Sequence, residues 1–133
     1  IIPDTYLPDV HERLILYKRI ASANNEEELK DLKIEMIDRF GLLPDSTSNL
    51  FESSSLKNYS NDIGVLKINI YDDKAEITLN EKNSIDASKI INLIQTQPTQ
   101  YQLKNQNTIV INESMEPDMS RISKISKLLS TIA

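Results

Sequence analysis

The hydrophobic pattern first changes its period at Gly64, and that change separates what the two parts of the chain can become. Before Gly64, apolar residues recur every three or four positions, as in amphipathic helices. After it the period is two. In GVLKINIY, Leu66, Ile68 and Ile70 fall on one side, and in AEITLN, Ala75, Ile77 and Leu79 do the same. Asp72-Asp73-Lys74 between them reads as a hairpin turn. At 133 residues the chain is long enough for a real core, burying roughly two thirds of its unfolded surface.

The first part reads as about three helices. Pro8 suits the opening position of the first, because its missing N–H has no partner there in any case. Val10, Leu14, Tyr17 and Ala21 form its i, i+4, i+7, i+11 stripe, and the helix is expected to run to about Ala23. Asn24 or Asn25 caps the second helix, with Glu26, Glu27 and Glu28 in its first turn. Leu29, Leu32, Met36, Ile37 and Phe40 are its expected buried stripe, and Gly41 ends it. A third helix is expected from Pro44 to about Asp62, although SSSLKNYSND is rich in weak helix formers.

The second part reads as strand, strand, helix, twice over. IDASKIINLIQT is a helix, TQYQLKN and NTIVIN form a hairpin turning at Asn105-Gln106, and a last helix is opened by Pro117. LNEKNSIDASKI aligns with INESMEPDMSRI at a constant offset of 32, with Asn80/Asn112, Glu81/Glu113, Asp86/Asp118, Ser88/Ser120 and Ile90/Ile122 identical. Duplication and similar local solutions both produce such a match. The expected fold class is α+β: a helical subregion, residues 1–63, followed by two ββα units, residues 64–133. Those units form a four-stranded antiparallel sheet with its helices on one face.

Composition excludes several chemistries. Two glycines in all, Gly41 and Gly64, cannot build a phosphate-cradling or dinucleotide-binding loop. There is no cysteine and one histidine, His11, so a metal site is not expected. His11 reads as a structural or solvent-facing residue and Asp72-Asp73 as a polar turn. A small hydrolase built on those three residues is the weakest reading. No apolar run approaches a membrane span, and no basic-then-apolar leader is present, so a cytoplasmic setting is expected. A start at Ile1 points to a piece of a longer protein. Residues 1–63 hold 7 Lys/Arg and 12 Asp/Glu, whereas residues 64–133 hold 8 of each. All the net acidity therefore lies in the helical part. Direct nucleic-acid binding is not expected, and a basic protein surface is the better partner.

The second helix carries the strongest signal. At ~100° per residue, Glu27, Glu28, Asp31, Glu35 and Asp38 share an arc of about 100°, with Arg39 at its edge. Glu27–Asp31 and Asp31–Glu35 are like-charge i,i+4 pairs that weaken the helix slightly. Such a stripe is either a solvated face or an interface.

The stretch IPDTYLPDVHERLILYKRIASANNEEELKDLKIEMIDRFGLLP, residues 2–44, resembles the C-terminal (TRCF) domain of the bacterial transcription-repair coupling factors, the Mfd family. Ile-Pro-Asp, Tyr-x-Pro-Asp-Val-His, Leu-Tyr-Lys-Arg and Ile-Asp-Arg-Phe-Gly-Leu-Leu-Pro carry the likeness. Residues 53–62 depart from it, since the family is more apolar there. The resemblance implies a non-catalytic regulatory domain without a cofactor, cut from an ATP-dependent DNA translocase whose motor lies outside these residues. It implies docking on the parent's UvrB-homology module, which masks the surface for UvrA and restrains the motor until RNA polymerase is engaged. Glu35, Asp38 and Arg39 match the family's contact positions; Asp31 and Glu28 extend the same face. The alternative is a stand-alone acidic adaptor for a different basic protein.

DRFGLLPDS then has two expected roles. Gly41 takes a left-handed conformation and Leu42 folds back on Ile37, as in a Schellman motif. Phe40, Leu42, Leu43 and Pro44 pack a helix–helix corner that holds Glu35, Asp38 and Arg39 outward.

Overall fold

Asp9 rather than Pro8 starts the first helix, α1 (Val10–Ser22). Its carboxylate accepts the His11 and Glu12 N–H groups, satisfying two donors that the first turn leaves open. The chain is described by a computed structural model at residues 1–115 and 119–133. Pro117, expected to open the last helix, and Asp118 of the internal match lie outside the described residues. Packing divides the chain into two compact units, Ile1–Asn58 and Tyr59–Ala133.

In the first unit, α2 (Glu26–Phe40) begins at the N-cap Asn25. The Asn25 side chain accepts the Glu28 N–H at 2.8 Å, while the Glu28 carboxylate reaches back to the Asn24 N–H at 2.7 Å. This is a variant of the capping box, one residue longer on its return arm. Leu29, Leu32 and Met36 are buried as expected, and Phe40 is half-buried, but Ile37 stays exposed. The stripe read on α1 is for the most part not the packed face. Leu16 and Ile20 are its buried residues, whereas Val10 and Leu14 are 60% and 55% exposed. Of the stripe, Val10, Leu14 and Ala21 lie on the outer face and Tyr17 packs against the core.

α3 (Asp45–Ile63) starts one residue after Pro44, whose carbonyl accepts the Thr47 and Ser48 N–H groups at 3.0 Å. Phe51 enters the first unit's core. The serine- and asparagine-rich stretch is used rather than tolerated. Ser54 Oγ donates to the Ile20 carbonyl at 3.0 Å and Asn58 Nδ2 to the Ala23 carbonyl at 3.1 Å. Both carbonyls lie at the C-terminal end of α1, where helical acceptors lack partners. Ser55 Oγ donates to Glu26 at the opposite, N-terminal end of α2. Apolar side chains at these positions could not make those bonds. From Tyr59 onward, α3 belongs to the second unit.

The second unit contains β1 (Val65–Ile70), β2 (Lys74–Leu79), α4 (Ala87–Thr96), β3 (Tyr101–Lys104), β4 (Thr108–Asn112) and α5 (Met119–Ile132). Its sheet is antiparallel in the order β1-β2-β4-β3. The two hairpins meet through β2 and β4, where Ile77 pairs with Ile109, related by the same 32-residue offset. Ala87 and Met119, which start α4 and the described part of α5, repeat it. An approximate two-fold axis therefore passes through the Ile77–Ile109 pair. A register irregularity between Val65 and Lys67 corrects the assignment of Leu66 to the Ile68 face. Val65 is buried and Leu66 is 65% exposed.

Alternation is also incomplete in the central strands. Ala75 and Ile77 are buried, and so is Glu76 between them. Glu76 accepts a 2.9 Å bond from Lys104 Nζ across the sheet. That bond holds the Glu76 carboxyl below its ordinary range against the opposing effect of burial, with Lys74 and Lys67 adding attraction.

Gly64, at φ +90°, joins α3 to β1. A Cβ there would lie 2.5 Å from Asn83 Cα and from the Lys82 carbonyl. The Gly64 carbonyl accepts the Asn80 N–H at 2.8 Å, so the backbone itself seats the 80–84 loop.

Candidate protein-docking surface

The α1–α2 edge gathers four charged side chains. Arg19 grips Glu35 with both guanidinium nitrogens, Nη1 to Oε2 at 2.6 Å and Nη2 to Oε1 at 3.0 Å. Arg39, one helical turn beyond Glu35, lies 3.5 Å from the same Oε2 and donates its other nitrogen to Glu12. The chain of charges runs Arg19–Glu35–Arg39–Glu12 and ties the exposed edges of two helices together. Hydrogen bonding to Arg19 lowers the Glu35 pKa, and the reciprocal bond raises that of Arg19. Exposed pairs are worth ~0.2–1 kcal/mol each, so the network orders side chains more than it holds the fold. Arg39 is also stacked against Phe40, 4.7 Å from the ring centroid.

Of the residues expected on this face, Glu35 and Arg39 are thus engaged within the unit, and Glu28 is drawn into the helix cap. Asp31 and Asp38 are exposed. Among the described residues neither makes an ion pair. Arg19, Ala23, Glu28, Asp31, Leu32 and Glu35 line a shallow cleft of about 360 Å³ between the helices. The charge is therefore divided between a fixed lattice and free carboxylates beside it.

The corner behind this face follows a different geometry from the expected one. Gly41 has the expected positive φ, +94°, but with ψ −170° it lies in a region reached almost only by glycine, outside the left-handed helical basin. Leu42 is 85% exposed and does not fold back on Ile37. The Schellman expectation is corrected on that ground. Phe40 and Leu43 do pack against the first unit's core. Tyr6 closes the corner in a different way. Its hydroxyl lies 2.9 Å from the Gly41 carbonyl and 3.2 Å from the Met36 carbonyl, and its ring meets Phe40 edge-on at 5.9 Å.

Sequence reasoning missed Tyr6, Arg19 and Glu12 as parts of this site. Glu12 and Arg19 are seven residues apart on one helix, a spacing that returns to the same face, so their joint placement was available. Their partners across the helix pair were not. His11 is exposed on α1, and Asp72 and Asp73 are exposed between β1 and β2. Among the described residues no group of three or more His, Asp or Glu could hold a metal ion. None of the described helices is long and apolar enough to cross a membrane.

Comparison with known proteins places these features. The TRCF domain model matches residues 1–90. The transcription-repair-coupling factor of Escherichia coli strain K12 is 35% identical over 129 residues, 97% of this chain and 11% of that protein. That of Haemophilus influenzae is 37% identical over 133 residues, 100% of this chain and 12% of that protein. The chain thus spans about a tenth of the length of these curated relatives. A crystal structure of the C-terminal domain of transcription-repair coupling factor superposes with a TM-score of 0.73 at 22% identity, covering 97% of this chain and 82% of that one. At that identity the likeness concerns the fold.

Proposed function

Because the chain belongs to the transcription-repair-coupling-factor family as a TRCF domain, we propose that it is a non-catalytic autoinhibitory module of such a factor. Its α2 face docks on the parent's UvrB-homology module. Docked, it masks UvrA binding and restrains the DNA translocase until RNA polymerase is engaged; nucleic acid is not its direct ligand, and the setting is the bacterial cytoplasm.

The observation that carries this reading is the division of charge on α2. Arg19 and Glu12 bond Glu35 and Arg39 within the unit, so part of the entropy of ordering these long side chains is spent on folding rather than docking. Asp38 lies beside them without an ion-pair partner among the described residues, available to a basic group on the docking module. Charge pairs of this kind give register and steering more than raw affinity, which suits a clamp that must open. Tethering in one polypeptide raises the effective concentration, so weak contacts suffice.

The test uses charge reversal at Glu35, Asp38 and Arg39. In the full-length parent, reversal is expected to expose UvrA binding; between separately expressed domains it is expected to weaken association. Asp38→Arg is the cleaner variant, because it leaves the Arg19–Glu35–Arg39–Glu12 chain intact. Unchanged UvrA binding in a folded, full-length Asp38→Arg, Glu35→Arg, Arg39→Glu variant refutes the assignment.

A further inference from the structure

The regular apolar stripe Val10–Leu14–Tyr17–Ala21 starts on the outer side of α1 and turns inward only at Tyr17. Val10, Leu14 and Ala21 are exposed, while Tyr17 is half-buried, packed on the core with its hydroxyl accepting the Ile2 N–H and the rest of its ring open to the groove. The stripe leads into a groove of about 200 Å³ between α1 and α3, lined by Tyr17, Ala21, Leu50 and Lys57 among others. A continuous apolar strip of this kind, rimmed by polar groups, is the surface that helix-in-groove recognition uses.

Its rim has a definite sign. Arg13 and Lys18 flank the stripe on α1, and Lys57 stands at the groove on α3. These are three of the seven Lys/Arg in residues 1–63, a segment that is acidic as a whole. Among the described residues none of the three makes an ion pair. The nearby carboxylates are committed elsewhere: Asp9 caps α1, and Glu12 holds Arg39. An apolar strip between unpaired cations complements an apolar strip between carboxylates.

We propose that this stripe is a second docking surface, of opposite sign to the α2 face, and that it takes an amphipathic helix of a protein partner with Asp/Glu flanking its apolar side. From Val10 to Ala21 the stripe is about 16 Å long, matching three turns of such a helix. The inference does not rest on the docking role of α2.

A synthetic helical peptide of Leu, Ala and Glu, apolar on one face, serves as the probe, with a Lys-for-Glu version as its control. Titrated into the isotopically labelled full 133-residue chain, the acidic peptide is expected to shift the amide resonances around Leu14, Tyr17 and Leu50. Leu14→Asp is expected to weaken binding by about tenfold or more, and Lys18→Glu with Lys57→Glu to transfer the preference to the basic peptide. Leu14, Lys18 and Lys57 are exposed, so thermal melts of the variants are expected to match the parent's. Asp38→Arg is expected to leave this binding unchanged, which separates it from the α2 site. Equal binding of both peptides, binding by neither, insensitivity to Leu14→Asp, or sedimentation showing a dimer held through Leu14 overturns the proposal.

Discussion

Both units have apolar cores, but they finish their elements by different means. In the first, helix ends are closed by side chains from elsewhere in the unit: Tyr6 of the N-terminal turn at the end of α2, Ser54 and Asn58 of α3 at the end of α1, and a charge chain along the α1–α2 edge. In the second, the centre is an aliphatic pair of strands meeting at Ile77 and Ile109, with Ile125, Leu129 and Ile132 of α5 also fully buried. Polar closure is directional and each bond contributes little net free energy, whereas apolar burial is non-directional and large per residue. A unit closed by polar bonds can present a charged surface at low energetic risk; one built on aliphatic packing resists change.

The largest test of that contrast is Ile77→Ala. With the side chain fully buried at the approximate two-fold axis, the loss is expected to be about 2–5 kcal/mol, measured by urea unfolding. Hydrogen exchange should place it at the β2 and β4 amides; protection lost equally in α1 and α2 would break the contrast. Gly64→Ala comes next. It combines a positive φ with a Cβ 2.5 Å from backbone atoms, so at least about 2 kcal/mol is expected. Gly41→Ala isolates the strain, because a Cβ there meets nothing within 4 Å; it is expected to lose about 1–3 kcal/mol and less than Gly64→Ala. An equal loss at the two glycines would show that the clash at Gly64 relaxes freely.

Tyr6→Phe removes only the hydroxyl over the Gly41 and Met36 carbonyls. About 1 kcal/mol is expected, read by the same denaturant titration. The smallest effect is expected at Glu35→Gln, below about 1 kcal/mol at neutral pH and reduced further by salt. Its signature is pH dependence. The folded-state pKa of Glu35 is lowered by Arg19, so its contribution is full above the ordinary carboxylate range and is lost as pH falls through the lowered value. Stability measured across the acid limb should therefore fall less steeply in Glu35→Gln than in the parent; identical limbs would show that the pair adds nothing.

The corner DRFGLLP shows how far local reading reached. The glycine's positive φ and the proline's restart were legible because each follows from one residue's own covalent geometry. The fate of Leu42 was not, because the corner is closed by Tyr6, far earlier in the chain, whose hydroxyl reaches the Gly41 and Met36 carbonyls. The same holds on α1. Periodicity found a stripe but left its side open, since a helix with apolar residues at Val10, Leu14, Leu16 and Ile20 offers two candidate faces.

By itself, then, the sequence determined the element types, both hairpins, the change of period at Gly64, the 32-residue offset and the family. Each rests on interactions among residues near in the chain or on a pattern written directly in it. Only the tertiary structure decided the order β1-β2-β4-β3, the use of Ser54 and Asn58 as caps for α1, and the pairing of Arg19 and Glu12 with α2. Those are contacts between residues distant in sequence. Their energies depend on which surfaces the packed helices and strands bring within hydrogen-bonding reach, a quantity that no local pattern encodes.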